Sequence, residues 1–169
     1  MSGPSLASGE DTGGVRVELH AGARELLRPL FSLAEDSRVQ LDSYLAAGRV
    51  LVAVDGDEVI GHLQLVATAR PGDAEIKNMA VREDRQGRGV GARLIRAAAD
   101  LVRAEGGSML VVATATADLG NLRFYQRQGF RMRRIERDAF TPATGYPDRI
   151  DVDGIELRDR VWLDRQLTS

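Results

Sequence analysis

The sequence predicts an α/β fold of the α+β kind, with a mixed central sheet of about six to seven strands and helices on both faces. Three observations predict it. Between Arg49 and Arg82 the chain reads as consecutive strands joined by short turns, an antiparallel meander. Residues 90–105 then place their apolar side chains at helical spacing. Next comes an almost unbroken apolar run, Met109-Leu-Val-Val-Ala113. Such a run fits a strand covered on both faces and laid parallel to its neighbour after a helical crossover.

Residues 1–14 are rich in Gly and Ser, carry no apolar run, and read as a disordered leader rather than a signal peptide. Residues 15–169 read as one domain. Val15 to His20 alternates apolar and polar, as a strand does. Residues 22–34 set Leu26, Leu27, Leu30, Phe31 and Ala34 at helical spacing, and Pro29 kinks or splits that helix. Asp36 or Ser37 caps a second helix to about Ala46, with Gly48 as its stop. Strands follow at Arg49–Val54 and Glu58–Ala69 around the hairpin signal Asp55-Gly56-Asp57. Gly61 marks a bulge or a close approach in the second of them. Pro71-Gly72 ends that strand and Asp73 opens the next, Ala74 to Arg82.

Helix Val90–Glu105 presents Val90, Leu94, Ala97, Ala98, Leu101 and Val102 on one face and stops at Gly106-Gly107. The strand Ser108–Ala115 comes next, then a short helix to Gln128 capped by Asp118. Gly129 ends that helix and Phe130–Ile135 is the next strand. A loop, Phe140–Asp153, leads to a final strand, Ile155–Leu163.

Composition excludes several function classes. The net charge is -2, which argues against general nucleic-acid binding. No stretch nears the roughly 20 apolar residues of a membrane span. There is no cysteine, so a thiolate nucleophile is excluded. With two histidines far apart in sequence, His20 and His62, no metal is expected. Lys77 is the only lysine among 23 basic residues, so lysine self-acetylation could occur at one side chain alone.

The chemistry centres on Asn78-Met-Ala-Val-Arg-Glu-Asp-Arg-Gln-Gly-Arg-Gly-Val-Gly-Ala92, a strand end, a glycine turn and a helix start. Gln86, Gly89 and Gly91 stand at the spacing Q-x-x-G-x-G, with Gly87 a third glycine. Glycines let a ligand approach the backbone closely, and a helix start offers unpaired amides and the positive end of its dipole. Residues 82–103 carry a charge of +3, so a phosphate-bearing ligand is the natural occupant. A structural turn without a ligand is the other reading. There is no Gly-Lys-Ser/Thr, and the dinucleotide pattern G-x-G-x-x-G is not matched.

This stretch, with Phe124-Tyr125 to Gly129-Phe130 behind it, resembles the acetyl-CoA-binding motif of the GNAT superfamily of N-acetyltransferases. The resemblance covers residues 49–135 best. It implies that Gln86, Gly87, Arg88, Gly89, Val90, Gly91 and Ala92 wrap the pyrophosphate of acetyl-CoA. It implies too that this strand splays from the next, leaving backbone amides at Met79, Ala80 and Val81 for the pantetheine arm and the thioester oxygen. Tyr125 stands at the position of the tyrosine that lies near the coenzyme sulfur and protonates the leaving thiolate or hydrogen-bonds it; a core tyrosine is the other reading. Glu75 matches the general-base glutamate of histone acetyltransferases in the superfamily, and His62 is the alternative base. Asp118 stands where the family often has an asparagine, and that role is not transferred to Asn121.

The function that follows is acetyl transfer from acetyl-CoA to a primary amine of a small molecule, by direct attack in a ternary complex. A protein lysine or N-terminal acetyltransferase is one alternative and a non-catalytic acyl-CoA-binding regulator another. Residues 136–169 carry a net charge of -3, which suits a cationic acceptor, or is a solvated loop. Tyr146 could stack on a substrate, and Trp162 fits core or an interface, leaving a homodimer open. The expected location is cytoplasmic, where acetyl-CoA is available, without membrane or nucleic-acid partners.

Overall fold

A computed structural model describes residues 14–168. The expected leader, apart from Gly14, therefore lies outside the described residues. Strand β1 (Val15–Leu19) is followed by a 3-10 turn (Arg24–Leu27) and helix α1 (Arg28–Ala34), with Pro29 in the first turn of α1. A proline is tolerated there because its missing N–H would be unpaired anyway, so Pro29 splits the predicted helix as expected. Helix α2 (Arg38–Tyr44) starts at Ser37, whose hydroxyl accepts the Gln40 N–H.

Strands β2 (Arg49–Asp55), β3 (Glu58–Ala67) and β4 (Asp73–Val81) form the meander, and α3 (Val90–Ala104) crosses over to β5 (Met109–Ala115). Helix α4 (Leu119–Arg127) leads to β6 (Arg131–Glu136). The chain then differs from expectation. The predicted last strand breaks into β8 (Ile155–Glu156), paired with β7 (Asp151–Val152) in a small hairpin, and β9 (Arg160–Gln166). Asp153 (φ 49°) and Gly154 (φ 83°) make its turn, the left-handed pair that a two-residue hairpin demands.

The seven-stranded sheet has the order β1-β2-β3-β4-β5-β9-β6. Only β4 and β5 run parallel; every other neighbouring pair is antiparallel. Strand β2 shows how two cores share one sheet. Leu51 and Ala53 face α3, while Val50, Val52 and Val54 face Leu27 and Phe31 before and in α1 and Leu41 and Tyr44 of α2. Tyr125 of α4 joins the α3 side, so α1 and α2 cover one face and α3 and α4 the other. The buried stripe of α3 includes Ile95 and Ala99, while Ala97 and Leu101 are only half-buried, so the helix is turned slightly from the predicted face.

Two bulges set the register. One lies between Ala53/Val54 and their partners Gly61/Val59, where a Cβ on Gly61 would stand 3.1 Å from the Ala80 carbonyl oxygen. The other lies on β4. Gln64 pairs with Asn78 and Leu65 with Ile76, so Lys77 is the extra residue. A one-residue insertion flips side-chain parity. Ile76 faces the α3 core, whereas Asn78 faces α1 and α2.

Candidate active site

The glycine turn leads directly into α3. Gly89 holds the N-cap position at φ 79°, a left-handed conformation that favours glycine, and no side chain caps the helix. The first helical bond is Arg93 N–H to the Gly89 carbonyl, 3.1 Å, so the amides of Val90, Gly91 and Ala92 lie ahead of it. A Cβ on Gly91 would stand 3.1 Å from Phe124 Cζ and 3.2 Å from Met79 Cε, so this helix start is wedged against α4 and β4. Gly87 and Arg88 are exposed, and a side chain on Gly87 would meet nothing within 4 Å. The turn is anchored from behind: Arg85 pairs with Asp55, and Arg82 pairs with Asp84 at 2.8 Å and Glu58 at 3.3 Å. The arrangement is an accessible anion cradle of backbone donors at the positive end of a helix dipole.

Beside it the sheet opens. The β4–β5 ladder ends at Ile76–Val112, although β4 runs on to Val81 and β5 to Ala115. Arg82 N–H donates to the Ile60 carbonyl on β3 at 2.8 Å. Strand alternation therefore turns the peptide groups of Met79 and Val81 away from β3, toward the opening. The side chain of Gln86 fits this direction, donating to the Val81 carbonyl at 3.0 Å. Ala80, between them, is in register with His62 of β3. A free strand edge of this kind accepts an extended ligand as it would another strand.

Tyr125 projects from α4 toward Met79 of β4. Its ring packs edge-on to Phe124 and Phe130, and its hydroxyl lies 3.9 Å from Met79 Sδ. Burial pushes its phenol well above the usual tyrosine value, and the Asp118 charge adds to that. It is a phenol that holds its proton at neutral pH. Asp118 is engaged as the N-cap of α4, accepting the Asn121 N–H at 2.9 Å, while the Asn121 side chain reaches Thr114 Oγ1 at 3.3 Å.

Glu75 lies on β4 in register with Val66 and Val111, just before the opening. Its side chain is 17 % exposed, and burial raises its pKa above the usual carboxylate value, against the lowering pull of Lys77 and Arg160. The Lys77 ammonium is 4.0 Å from Glu75 Oε1 and 5.0 Å from the centre of the Tyr44 ring.

His62 lies on the same side but under the helices. It is fully buried, stacked on Phe31 at 4.1 Å, with Nε2 2.7 Å from Asn78 Oδ1. Asn78 Nδ2 already donates to the Phe31 carbonyl at 3.1 Å and to Tyr44 Oη at 3.0 Å. Its oxygen must therefore accept, which puts the imidazole proton on Nε2. Burial pulls the His62 pKa down to about 4, so the ring is neutral near pH 7. The network extends outward, with Tyr44 donating to Glu35 Oε2 at 3.0 Å and Tyr146 donating to Glu35 Oε1 at 2.7 Å. Two more bonds, Ser37 to the Gly145 carbonyl and Gln40 to the Thr144 carbonyl, each 2.8 Å, tie the 140–146 loop to α2. Tyr146 is thus buried and held by Glu35, and the Trp162 indole N–H donates to Glu136 at 2.9 Å.

Sequence reasoning offered His62 as an alternative base but missed the network of Glu35, Tyr44 and Asn78 that it joins. Its available signal was a set of polar residues, His62, Gln64 and Asn78, at core positions of neighbouring strands. Nothing local marked Glu35. Among the described residues no group of three or more His, Asp or Glu could hold a metal ion, and no helix is long and apolar enough to cross a membrane.

Comparison with known proteins adds three relatives and a family. Residues 20–130 match the sequence model of the Acetyltransferase (GNAT) family. The chain is 36 % identical to the structure of an IAA acetyltransferase from Bacillus cereus, covering 90 % of this chain and 99 % of that one, with a TM-score of 0.81. It is 34 % identical over 149 residues to an uncharacterized N-acetyltransferase of Bacillus subtilis, 88 % of this chain and 94 % of the relative. A GNAT acetyltransferase from Elizabethkingia anophelis, solved with acetyl-CoA bound, is 29 % identical, with 92 % and 100 % coverage and a TM-score of 0.84.

Proposed function

The chain belongs to the GNAT acetyltransferase family, and from that premise we propose that it transfers the acetyl group of acetyl-CoA to a primary amine of a small molecule. One observation carries the reading: the β4–β5 ladder stops at Ile76–Val112, directly beside an uncapped helix start. The opening fits an extended arm ending in phosphates. Its free edge suits the arm and the amides of Val90, Gly91 and Ala92 suit the phosphates, with Gln86, Gly87, Arg88 and Gly89 forming the turn around them.

Transfer needs a neutral amine, a polarised thioester, a proton for the departing thiolate and a shared geometry. Glu75 takes a proton from the incoming ammonium, directly or through water. Its half-dry position favours this, because a raised carboxyl pKa makes a better base. Backbone N–H at Met79 or Val81 donates to the carbonyl oxygen as negative charge develops on it. The amine nitrogen bonds to the carbonyl carbon, the carbon–sulfur bond breaks, Tyr125 gives its proton to sulfur, and the surplus proton on the amide nitrogen passes to the Tyr125 phenolate or to solvent. His62 suits the base role less well, being neutral with its Nε2 proton engaged and its pKa depressed.

The small-molecule assignment rests on the acceptor side. The α1–α2 junction and the 140–146 loop are laced together by Ser37, Gln40 and Glu35, a cover that suits a small acceptor better than a peptide. Glu35 and Glu75 place two carboxylates on that side, beside the cations Lys77 and Arg160. The test is thiol release from acetyl-CoA across a panel of amino sugars, polyamines, amino-acid derivatives and peptides. Release with small amines and not with peptides supports the reading; release with peptides alone transfers it to a protein substrate, and no release with any amine points to a non-catalytic binder.

A further inference from the structure

The only lysine of the chain stands at the opening of the sheet. Lys77 is the bulged residue of β4, one position past the last β4–β5 pair and two before Met79. Two residues of strand span roughly 6–7 Å, within reach of an extended lysine side chain. Its ammonium is held as an acceptor amine would be, 4.0 Å from Glu75 Oε1 and 5.0 Å from the centre of the Tyr44 ring, a carboxylate and an aromatic face together. Its side chain is 36 % exposed, so the ammonium is not enclosed by protein. A regular strand would send residues 75, 77 and 79 to one face; the bulge instead lets Lys77 accompany Glu75 while Met79 packs toward the α3 core.

We propose that Lys77 is itself an acetyl acceptor, modified within the same molecule when acetyl-CoA is bound and no better amine is present. This rests on the acetyl-transfer reading given above. In the step, Glu75 takes one proton from the Lys77 ammonium. The freed Nζ bonds to the thioester carbonyl carbon, the carbon–sulfur bond breaks, and sulfur leaves as thiolate, protonated by Tyr125 or solvent, while the surplus proton on the new amide nitrogen passes to the Tyr125 phenolate or to solvent. The products are Nε-acetyl-Lys77 and coenzyme A. Acetylation removes the positive charge facing Glu75 and places an amide where an acceptor amine would approach. The modified protein is therefore expected to turn over external amines more slowly.

The experiment incubates the full chain with acetyl-CoA alone and follows intact mass and a peptide map, with thiol release on the amine panel run in parallel. The expected result is one added acetyl group, mapped to Lys77. Its rate saturates with acetyl-CoA, is independent of protein concentration, and exceeds that of urea-unfolded protein by on the order of 100-fold. Lys77→Arg should take up no acetyl group, and Glu75→Gln should take it up far more slowly. Amine acetylation with Lys77 unmodified overturns the proposal and leaves the enzyme reading standing. Lys77 unmodified with no amine acetylated removes both. Equal rates in folded and unfolded protein overturn it as well, since they reduce the modification to bulk chemical acetylation.

Discussion

His62 makes the stability of this protein depend on pH in a way that can be isolated. Its imidazole is fully buried, and burial lowers its pKa from 6.5 to about 4. The unfolded chain therefore binds a proton that the folded chain refuses between those values. Stability from this group is complete above pH 6.5 and is lost as pH falls toward 4. The shift amounts to about 3 kcal/mol at 1.36 kcal/mol per unit, of which roughly 2–2.5 kcal/mol is gone by pH 4.5. Urea unfolding of the wild type and of His62→Gln, at pH 7.5 and pH 4.5, measures it. Each protein is compared with itself, so the variant's intrinsic cost cancels. Glu75, whose raised pKa has the opposite sign and favours the folded state at low pH, titrates in both proteins and cancels too. The wild type should lose about 2 kcal/mol more than the variant across that interval. Parallel losses would show that His62 charges freely in the folded protein, and the case for a neutral, Nε2-protonated ring would fall.

Further predictions concern the reaction. Tyr125→Phe removes only a 3.9 Å contact to sulfur, so urea unfolding should find its stability close to wild type. Its kcat should fall on the order of 100- to 10,000-fold if the hydroxyl protonates the thiolate; an unchanged rate with chemistry limiting would leave Tyr125 as packing. Glu75→Gln should lose kcat near neutral pH and regain part of it as pH rises, while acetyl-CoA binding is unaffected. In the wild type the acid limb of kcat should lie above the ordinary carboxylate value of 4.5, because burial raises the Glu75 pKa. Lys77→Met, by removing the charge that lowers that pKa, should move the limb further up; a limb that stays put would separate Glu75 from the base role.

Much of this was legible in the sequence because local chemistry dictated it. The Gly87/Gly89/Gly91 spacing, the Ser37 and Asp118 caps and the apolar 109–113 run each announce one local geometry, and each took it. The 136–163 region was read less well. Its strands mix charged and apolar residues without a sustained alternation, and the Asp153-Gly154 turn signal was absorbed into a loop. The Lys77 bulge was invisible, since a one-residue slip depends on how β3 and β4 settle against two cores at once. The Glu35–Tyr44–Asn78–His62 network was equally hidden. Its members come from α1–α2, β3 and β4, and only tertiary packing brings them within hydrogen-bond reach.

The most direct test of the central claim is calorimetric titration of acetyl-CoA into the wild type and Gly89→Glu. Glutamate at residue 89 would have to adopt a left-handed φ of 79° and would set a carboxylate against phosphates at the helix start. The strain is on the order of 1–2 kcal/mol, too little by itself to unfold an ordinary domain, so circular dichroism should show the variant folded. The wild type should bind acetyl-CoA and the folded variant should not. Equal affinity in the two proteins would contradict the placement of the coenzyme at this turn, and with it the account of the site.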